Sequence, residues 1–247
     1  MLSPNLKPTV NSDQTVILSW KILAKDLQLT YQKILLHRQS HLKLDGFRQG
    51  KVPLDLVTSH YGQNELFAQT VEEVISQIYQ SSIVFHHLNP VIPPQVRILS
   101  KDFNLEKDLE IEISTCLTPK IAIKSTLYSK ISQISPKLDS KAKTEKILSL
   151  LETQVNITFP PILLDYEIKK SAPKDKAEFS KKITSEWSIN LAIQEIATKE
   201  KITVKTEELK QVIGQNSKLQ SNPNLIYYLL LQQKVLSFLL GKIPKNW

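Results

Sequence analysis

Two long segments in the first half of the chain have strand-like patterns of apolar and polar residues. Strand-forming residues are concentrated in 15–23, and in 109–117 apolar residues alternate with Glu and Ser. Such alternation is typical of a strand with one buried and one wet face. A shorter strand is expected at 96–99, so this part of the chain is predicted to contain a sheet with one solvated face.

Helical spacing of apolar residues predicts helices over 26–38 and 65–84. Another helix is expected to begin at Pro53, which suits a first turn. It should end near Gly62, because glycine can take the left-handed position that closes a helix. Strands and helices together make residues 1–120 a compact α+β unit.

The second half of the chain has apolar residues at helical spacing and few strand signals. The predicted helices run from Ser135-Pro136 through Val155, over 162–169, across Ile183, Trp187 and Leu191, from an N-cap at Thr206, and from Asn222-Pro223 to Leu240. We expect 121–144 to be a basic linker, 171–182 to be a charged connector and 145–247 to be an all-helical domain. The fold class is therefore α+β, an α+β N-terminal domain followed by a helical C-terminal domain.

Composition narrows the function classes. The chain has 247 residues, and its 32 Lys and Arg against 24 Asp and Glu give a net charge of +8. A basic chain favours polyanionic partners, although net charge alone fits an ordinary lysine-rich surface better. The single cysteine, Cys116, excludes an internal disulfide framework and a multi-cysteine metal site. The five glycines form no nucleotide-binding motif.

No membrane segment or secretion signal is expected. The first residues lack a charged region followed by an apolar one. The most apolar stretch, 226–240, contains Gln232, Gln233 and Lys234 and is shorter than the roughly 20 residues of a membrane span. We therefore expect a cytoplasmic protein without a membrane partner.

Candidate chemistry is sparse. His37 and His41 have the spacing of two metal ligands on a helix, but no third ligand is evident, so a metal site is not expected there. Cys116 is expected to be a buried structural thiol. The acidic series from Glu106 to Glu112 is interpreted as a wet strand face rather than an acid/base pair. We expect no catalytic residue, no metal, no cofactor and no small-molecule substrate.

One loop combines groups that suit a binding surface. Residues 46–53 have the sequence GFRQGKVP. Here Phe47 is an aromatic beside a guanidinium, Arg48, that can contact phosphate in a bidentate manner, and Lys51 adds a point charge. These groups suit contact with ribonucleoprotein. An ordinary basic turn with Phe47 folded into the core is the alternative, and the chemistry alone leaves both open.

This loop closely resembles the ribosome-binding loop of the trigger factor family, the bacterial chaperones that meet nascent chains at the ribosomal tunnel exit. The family pattern is GFR-x-GK-x-P followed by Tyr-Gly, which stands here as 46–53 and Tyr61-Gly62. Asn89-Pro90, Asp102-Phe103 and the strand at 109–113 follow in the family's order. Residues 159–168 and 191–204 resemble segments of its helical C-domain.

The resemblance implies a ribosome-associated chaperone that contacts ribosomal protein and rRNA near the tunnel exit and binds nascent or unfolded polypeptides. The implied ribosome-binding residues are Gly46, Phe47, Arg48, Gln49, Gly50, Lys51 and Pro53. The family often has lysine where Gln49 stands, which implies weaker or more salt-dependent docking here.

The chain also departs from the family in its domain content. Family members carry an FKBP-type prolyl isomerase domain between the two halves, and here the intervening segment is too short for one. The resemblance therefore implies a non-enzymatic chaperone with a shortened C-domain. A ribosome-docked adaptor or assembly factor with one dedicated partner is the alternative, and a degenerate isomerase is a weaker one.

Overall fold

The segments with alternating apolar residues form the strands of an antiparallel sheet in the computed structural model, which describes residues 7–102, 104–215 and 223–244. The strands are β1 (Thr9–Val10), β2 (Thr15–Ile22), β3 (Gln95–Ile98) and β4 (Leu109–Cys116). They lie in the order β1-β2-β4-β3. The predicted strands at 15–23, 96–99 and 109–117 are confirmed, and the apolar residues of β2 and β4 share one buried face.

Three helices accompany this sheet and confirm the predicted helical segments. They are α1 (Ala24–His41), α2 (Leu54–Tyr61) and α3 (Gln63–Phe85). Val74 and Ile78 of α3 are buried in one cluster with Leu18 of β2 and Ile111 of β4. Burial of this apolar stripe against the sheet is what holds the long helix in place.

Gly62 separates α2 from α3, as the sequence predicts. Its backbone has φ 85° and ψ 130°, and its N–H donates to the carbonyl of Thr58. Glycine adopts this conformation without the steric cost that a side chain would add. Pro53 precedes α2 as its N-cap residue, so the helix begins one residue later than predicted.

The second half is mainly helical, as the predicted fold class has it, and it also contains two short strands. Its elements are β5 (Ile121–Ile123), α4 (Leu127–Ser132), α5 (Ser140–Thr153), β6 (Val155–Ile157), α6 (Pro161–Ser171), α7 (Lys176–Lys199), α8 (Thr206–Gln215) and α9 (Pro223–Leu240). β5 and β6 pair as a two-stranded antiparallel sheet. Three-residue strands carry too little alternation to be distinguished in the sequence from helix ends.

The segment 121–144 is packed into the second half, whereas the sequence predicts a linker there. Leu127 and Ile131 are completely buried, and Ile134 is nearly so. They belong to a cluster that also contains Val235 of α9. A few well-spaced apolar residues among many lysines are thus enough to fix this segment, because the lysine side chains remain in solvent.

Two aspartates cap helices whose first residues differ from the predicted ones. Asp139, not Ser135-Pro136, caps α5, accepting a hydrogen bond from the Ala142 N–H at 2.7 Å. Asp175 caps α7 and accepts from Ala177 and Glu178, so the helix begins inside the predicted connector 171–182. N-cap aspartates satisfy amide groups that have no partner within the helix.

The starts of the last two helices are close to the predicted ones. α8 begins at Thr206, and the preceding residue, Lys205, donates its N–H to Glu208 at 2.9 Å. α9 begins at Pro223 and ends at Leu240, as expected. Asn222 and Phe103, both used in the sequence analysis, lie outside the described residues.

The chain divides into two compact units, Met1–Thr118 and Pro119–Trp247. The first contains the four-stranded sheet and α1 to α3, and the second contains β5, β6 and α4 to α9. Each unit has an apolar cluster made of its own residues. Among the described helices, none is long and apolar enough to cross a membrane.

Candidate functional site

The loop between α1 and α2 is anchored at both ends by buried apolar side chains. Leu42 precedes the loop and is 4% exposed, and Val52 near its end is completely buried. Both pack in a small cluster with Leu35, Val57 and Leu66. This cluster fixes the base of the loop on the ends of α1, α2 and α3.

Two consecutive turns shape the loop. The Phe47 N–H donates to the Leu44 carbonyl at 3.1 Å, and the Lys51 N–H donates to the Arg48 carbonyl at 2.9 Å. Gly46 and Gly50, the third residues of these turns, have φ of 85° and 77°. Positive φ at this position is the feature of a type II turn. A Cβ at either glycine would meet no atom within 4 Å, so the backbone conformation rather than space requires glycine.

This pair of turns explains the spacing of the glycines. Each turn takes four residues, 44–47 and 48–51, so the two glycines lie four positions apart. Phe47 and Arg48 stand where one turn ends and the next begins. The tandem arrangement therefore brings the aromatic and the guanidinium together on the outside of the loop.

The side chains that the sequence predicts to bind are on the surface. Phe47 is 42% exposed, and Arg48, Gln49, Lys51 and Pro53 are exposed as well. Within the part of the chain that the structure describes, neither Arg48 nor Lys51 has an ion-pair partner within 4.0 Å. The alternative in which Phe47 is folded into the core is therefore wrong. Chemically, the loop offers an aromatic face beside two cations.

Gln49 has a contact that the sequence did not reveal. Its Nε2 donates to the Ser40 carbonyl at 3.0 Å, at the end of α1. A second side chain of α1, Gln39, donates its Nε2 to the Val52 carbonyl at 2.7 Å. These two amides tie the loop to the helix that precedes it. No sequence signal identifies them, because the contacts depend on how the loop folds back.

Tyr61, part of the sequence pattern, packs against the apolar cluster at the base of the loop. The Arg38 guanidinium carbon lies 4.9 Å from the centre of the Tyr61 ring. The same guanidinium donates to Gln69 Oε1 at 3.2 Å. A cation over an aromatic face adds a favourable electrostatic contact. Arg38 and Tyr61 therefore connect α1, α2 and α3 beneath the loop.

The histidine pair has local hydrogen-bonding partners. His41 Nδ1 lies 2.9 Å from the His37 carbonyl and 2.9 Å from Ser40 Oγ. The two rings are 4.6 Å apart between centres. Within residues 7–102, 104–215 and 223–244, no group of three or more His, Cys, Asp or Glu side chains could hold a metal ion.

Cys116 is a buried thiol, as the sequence predicts. Burial raises the pKa of its thiol to about 11. Because the thiolate is the nucleophile, this cysteine is unreactive near neutral pH.

The acidic series lies on the wet face of the sheet or at its edge. Asp108 accepts from the Ala24 N–H at 2.9 Å and lies 3.2 Å from Lys21 Nζ. The Ala24 hydrogen bond, with a smaller effect from Lys21, lowers the pKa of Asp108. Glu112 pairs with Arg97 at 2.8 Å. These partners give the carboxylates structural roles.

Comparison with protein families identifies one match. The family model described as the bacterial trigger factor protein matches residues 5–153. This match includes the loop, the first unit from residue 5 onwards and the segment up to the end of α5. It extends further than the predicted boundary of the N-terminal domain at residue 120.

Curated relatives are trigger factors from diverse bacteria. That of Prochlorococcus marinus (strain MIT 9515) is 29% identical over 109 residues, which are 42% of this chain and 23% of that protein. That of Mycobacterium leprae (strain Br4923) is 26% identical over 147 residues, 58% of this chain and 30% of that protein. That of Treponema denticola is 30% identical over 112 residues, covering 44% and 25%. The chain thus spans about a quarter to a third of the length of these relatives.

A solved structure shares the fold. It is described as "Promiscuous Substrate Recognition in Folding and Assembly Activities of the Trigger Factor Chaperone", with a TM-score of 0.62 and 12% sequence identity. The similarity covers 97% of this chain and all of that one. At this identity the likeness concerns the fold alone.

Proposed function

This chain belongs to the bacterial trigger factor family of chaperones, and we propose that it docks on the ribosome through the loop 44–53 and assists nascent polypeptides there. The observation that carries the docking role is the exposure of Phe47 beside Arg48, on tandem turns that hold both outward. Phe47 is 42% exposed beside two exposed cations, so the loop offers a partner an apolar contact and positive charge at one place.

The chemistry of the loop fits a surface made of protein and RNA. Arg48 can contact a phosphate with two parallel hydrogen bonds, and Lys51 adds an unpaired positive charge. Phe47 can pack on an apolar side chain or stack on a base. Docking of this kind releases counterions from RNA, so its affinity should fall as salt rises. Ribosome docking also places the protein in the cytoplasm.

The helical unit offers apolar surface for client polypeptides. On α9, Tyr227 and Leu229 are 42% and 48% exposed. Apolar residues spread over a helix surface make weak contacts that an unfolded chain can form and leave. We assign nascent or unfolded polypeptides as the clients, and no cofactor or small-molecule substrate to either unit.

We further propose that the protein has no prolyl isomerase activity. Thr118 of the first unit is followed directly by Pro119 of the second, and no third unit stands between them. The test is the refolding of a small protein whose rate is limited by prolyl isomerisation. Added protein should leave that slow phase unchanged, and a concentration-dependent acceleration would refute this part of the proposal.

Co-sedimentation with empty ribosomes over a salt series tests docking. The variant Phe47→Ala/Arg48→Ala/Lys51→Ala should lose binding, because it removes the aromatic and both cations. The matched control is Phe85→Ala/Lys101→Ala/Lys107→Ala, which removes one exposed aromatic and two exposed cations from positions outside the loop. The control should bind as the wild type does. Equal binding by the loop variant, or equal loss in the control, would contradict the docking assignment.

A client assay separates a general chaperone from a dedicated adaptor. Denatured citrate synthase is diluted into buffer with and without the protein, and light scattering follows its aggregation. A chaperone should suppress aggregation in proportion to its concentration. Ribosome docking without any suppression of this unrelated client would favour the adaptor with one dedicated partner.

A further inference from the structure

An apolar groove lies between α3 and β3, on the sheet edge of the first unit. Its volume is about 780 Å³. Phe67, Val71, Ile75 and Tyr79 line it from α3, at the spacing of one helical stripe. Val96 and Ile98 line it from β3. The groove exists because the buried face of the sheet extends one strand beyond the helix that covers it.

β3 is an edge strand of the sheet. It pairs with β4 on one side, and among the described strands none pairs with its other side. The Leu99 N–H donates to the Glu110 carbonyl at 2.8 Å. By the register of the two strands, Leu99, Arg97 and Gln95 are therefore the residues whose backbone groups point towards β4. In an antiparallel pair the residues between them direct their N–H and C=O away from the partner. Val96 and Ile98 therefore present their backbone groups at the free edge.

The same two residues also present apolar side chains. Val96 is 43% exposed and Ile98 is 38% exposed. Val96 stands opposite Ile113 and Ile98 opposite Ile111, so both side chains lie on the face that packs against α3. Backbone hydrogen-bonding groups and an apolar surface are thus available at one place.

We propose that this edge binds an extended, apolar segment of an unfolded polypeptide as an additional antiparallel strand. The occupant is a polypeptide because only another backbone offers N–H and C=O groups at the spacing of Val96 and Ile98. Its residues opposite these two place their side chains in the groove and are apolar. The intervening residues face the wet side, beside Arg97. The inference rests on the proposed function, because an unfolded polypeptide is the class of partner that a chaperone binds.

A second copy of the chain fits this edge poorly. Antiparallel self-pairing that uses both Val96 and Ile98 must be centred on Arg97, so the two Arg97 side chains would stand directly opposite each other. Like charges in that position destabilise a strand pair. The edge is also short, because Pro94 just before β3 has no N–H to offer. A strand added here is held weakly enough to leave.

The test uses the full chain and fluorescence anisotropy. The probe is a fluorescein-labelled peptide of eight residues in which valine and threonine alternate. In the proposed pairing the valine N–H groups point to β3 and the threonine N–H groups point away. A peptide N-methylated at its valines should lose binding to the wild type, and one N-methylated at its threonines should retain it. Equal binding of both, or the reverse order, would overturn the strand.

Substitutions in the protein provide the second arm. Val96→Lys/Ile98→Lys should weaken binding of the unmodified peptide by about tenfold or more, because two charges enter an apolar groove. The control Val84→Lys/Phe85→Lys changes two exposed apolar residues at the end of α3 and should bind normally. Binding unaffected by Val96→Lys/Ile98→Lys would overturn the site. The site would also be overturned if sedimentation velocity showed a dimer for the wild type and a monomer for this variant while both bound the peptide equally.

Ribosome co-sedimentation keeps this inference separate from the docking proposal. Val96→Lys/Ile98→Lys should bind ribosomes as the wild type does, which also shows that the unit is folded. The loop variant at Phe47, Arg48 and Lys51 should bind the peptide normally. A variant that loses only ribosome docking therefore reports on the loop, and a variant that loses only peptide binding reports on the β3 edge.

Discussion

At the scale of single residues, Gln49 combines an exposed position with a tether to α1. Its amide donates to the Ser40 carbonyl, so the side chain helps to hold the loop although it carries no charge. From the sequence, Gln49 is expected to be a ribosome-binding residue that lacks the positive charge of a lysine. The structure adds a positional role that a lysine could keep, since an ammonium group also donates hydrogen bonds.

We expect Gln49→Lys to strengthen ribosome binding at low salt. One added charge near RNA should steepen the dependence of log affinity on log salt by about 0.7–0.9. By the same relation, Gln49 makes docking weaker but less salt-dependent than a lysine at this position would. Co-sedimentation over a salt series measures this slope. Gln80→Lys, at an exposed glutamine of α3, is the control and should leave the slope unchanged. An unchanged slope for Gln49→Lys would mean that this position does not approach phosphate.

Cys116 should be nearly inert to alkylation in the folded protein. A shift of its pKa from 9.0 to about 11 lowers the thiolate fraction at pH 8 about a hundredfold, before burial slows access further. Iodoacetamide labelling followed by mass spectrometry should show slow modification in buffer and fast modification in urea. Ser19→Cys in a Cys116→Ala background places a thiol on the wet face and should react rapidly. Fast labelling of native Cys116 would contradict its burial.

The same thiol makes stability depend on pH in one window. Its pKa is raised on folding, so the stability it contributes is fully present below pH 9 and is lost as pH rises towards 11. Urea unfolding at several pH values should show the wild type losing more stability across this window than Cys116→Ala does. An equal loss of stability in both proteins would mean that other groups, such as Tyr128, cause the pH dependence.

At the scale of elements, the segment 121–144 is part of the second unit, which begins at Pro119. Leu127 and Ile131 are completely buried in the cluster of that unit. Leu127→Ala or Ile131→Ala should each lower the free energy of unfolding by about 2–5 kcal/mol, through lost burial and a residual cavity. Urea titration measures the change.

Exposed residues of the same helix provide the control for this prediction. Ser129→Ala and Ser132→Ala should change stability by less than about 0.5 kcal/mol. A flexible linker would tolerate all four substitutions equally, so four small effects would restore the linker interpretation and remove α4 from the core.

Elements of the first unit were predictable from the sequence because their patterns are long. β2 and β4 each have eight residues of clear alternation, and α3 has several turns of one apolar stripe. In the second unit the signals are shorter or compete with one another. Asp175 followed by Glu178 is a capping pattern that predicts a helix start, but the surrounding lysines favoured a connector. β5 and β6 are too short to be predicted by periodicity.

The candidate site was predictable only in part. The residues of the loop follow from a local motif, and the glycine positions follow from turn geometry. The tethers from Gln39 and Gln49 depend on tertiary contacts and leave no local signal. The groove beside β3 depends on strand order, since Val96 and Ile98 would be buried if β3 were not at the edge. Strand order is not encoded in the pattern of any single segment.

At the scale of the whole molecule, we expect each unit to fold alone. Each has its own apolar cluster, and each is well above the roughly 40 residues below which a domain needs added crosslinks. Fragments 1–118 and 119–247 should therefore each unfold cooperatively in urea. Fragment 1–118 should also co-sediment with ribosomes.

A shorter fragment is the control for this experiment. Fragment 1–108 lacks β4, the strand between β2 and β3, and should not fold. Failure of 1–118 to fold, with the full chain folded, would show that the first unit depends on the second.

The tandem turns of the loop have a thermodynamic consequence for any partner that binds there. Two glycine turns, two amide tethers and a buried base already fix the backbone of 44–53. Binding therefore loses little conformational entropy, and the heat-capacity change should reflect only the apolar surface that the partner covers. Such a loop needs no folding step before it engages, so encounter can be fast and release can be governed by a few side chains. The complex can form and dissolve repeatedly without the loop ever losing its shape.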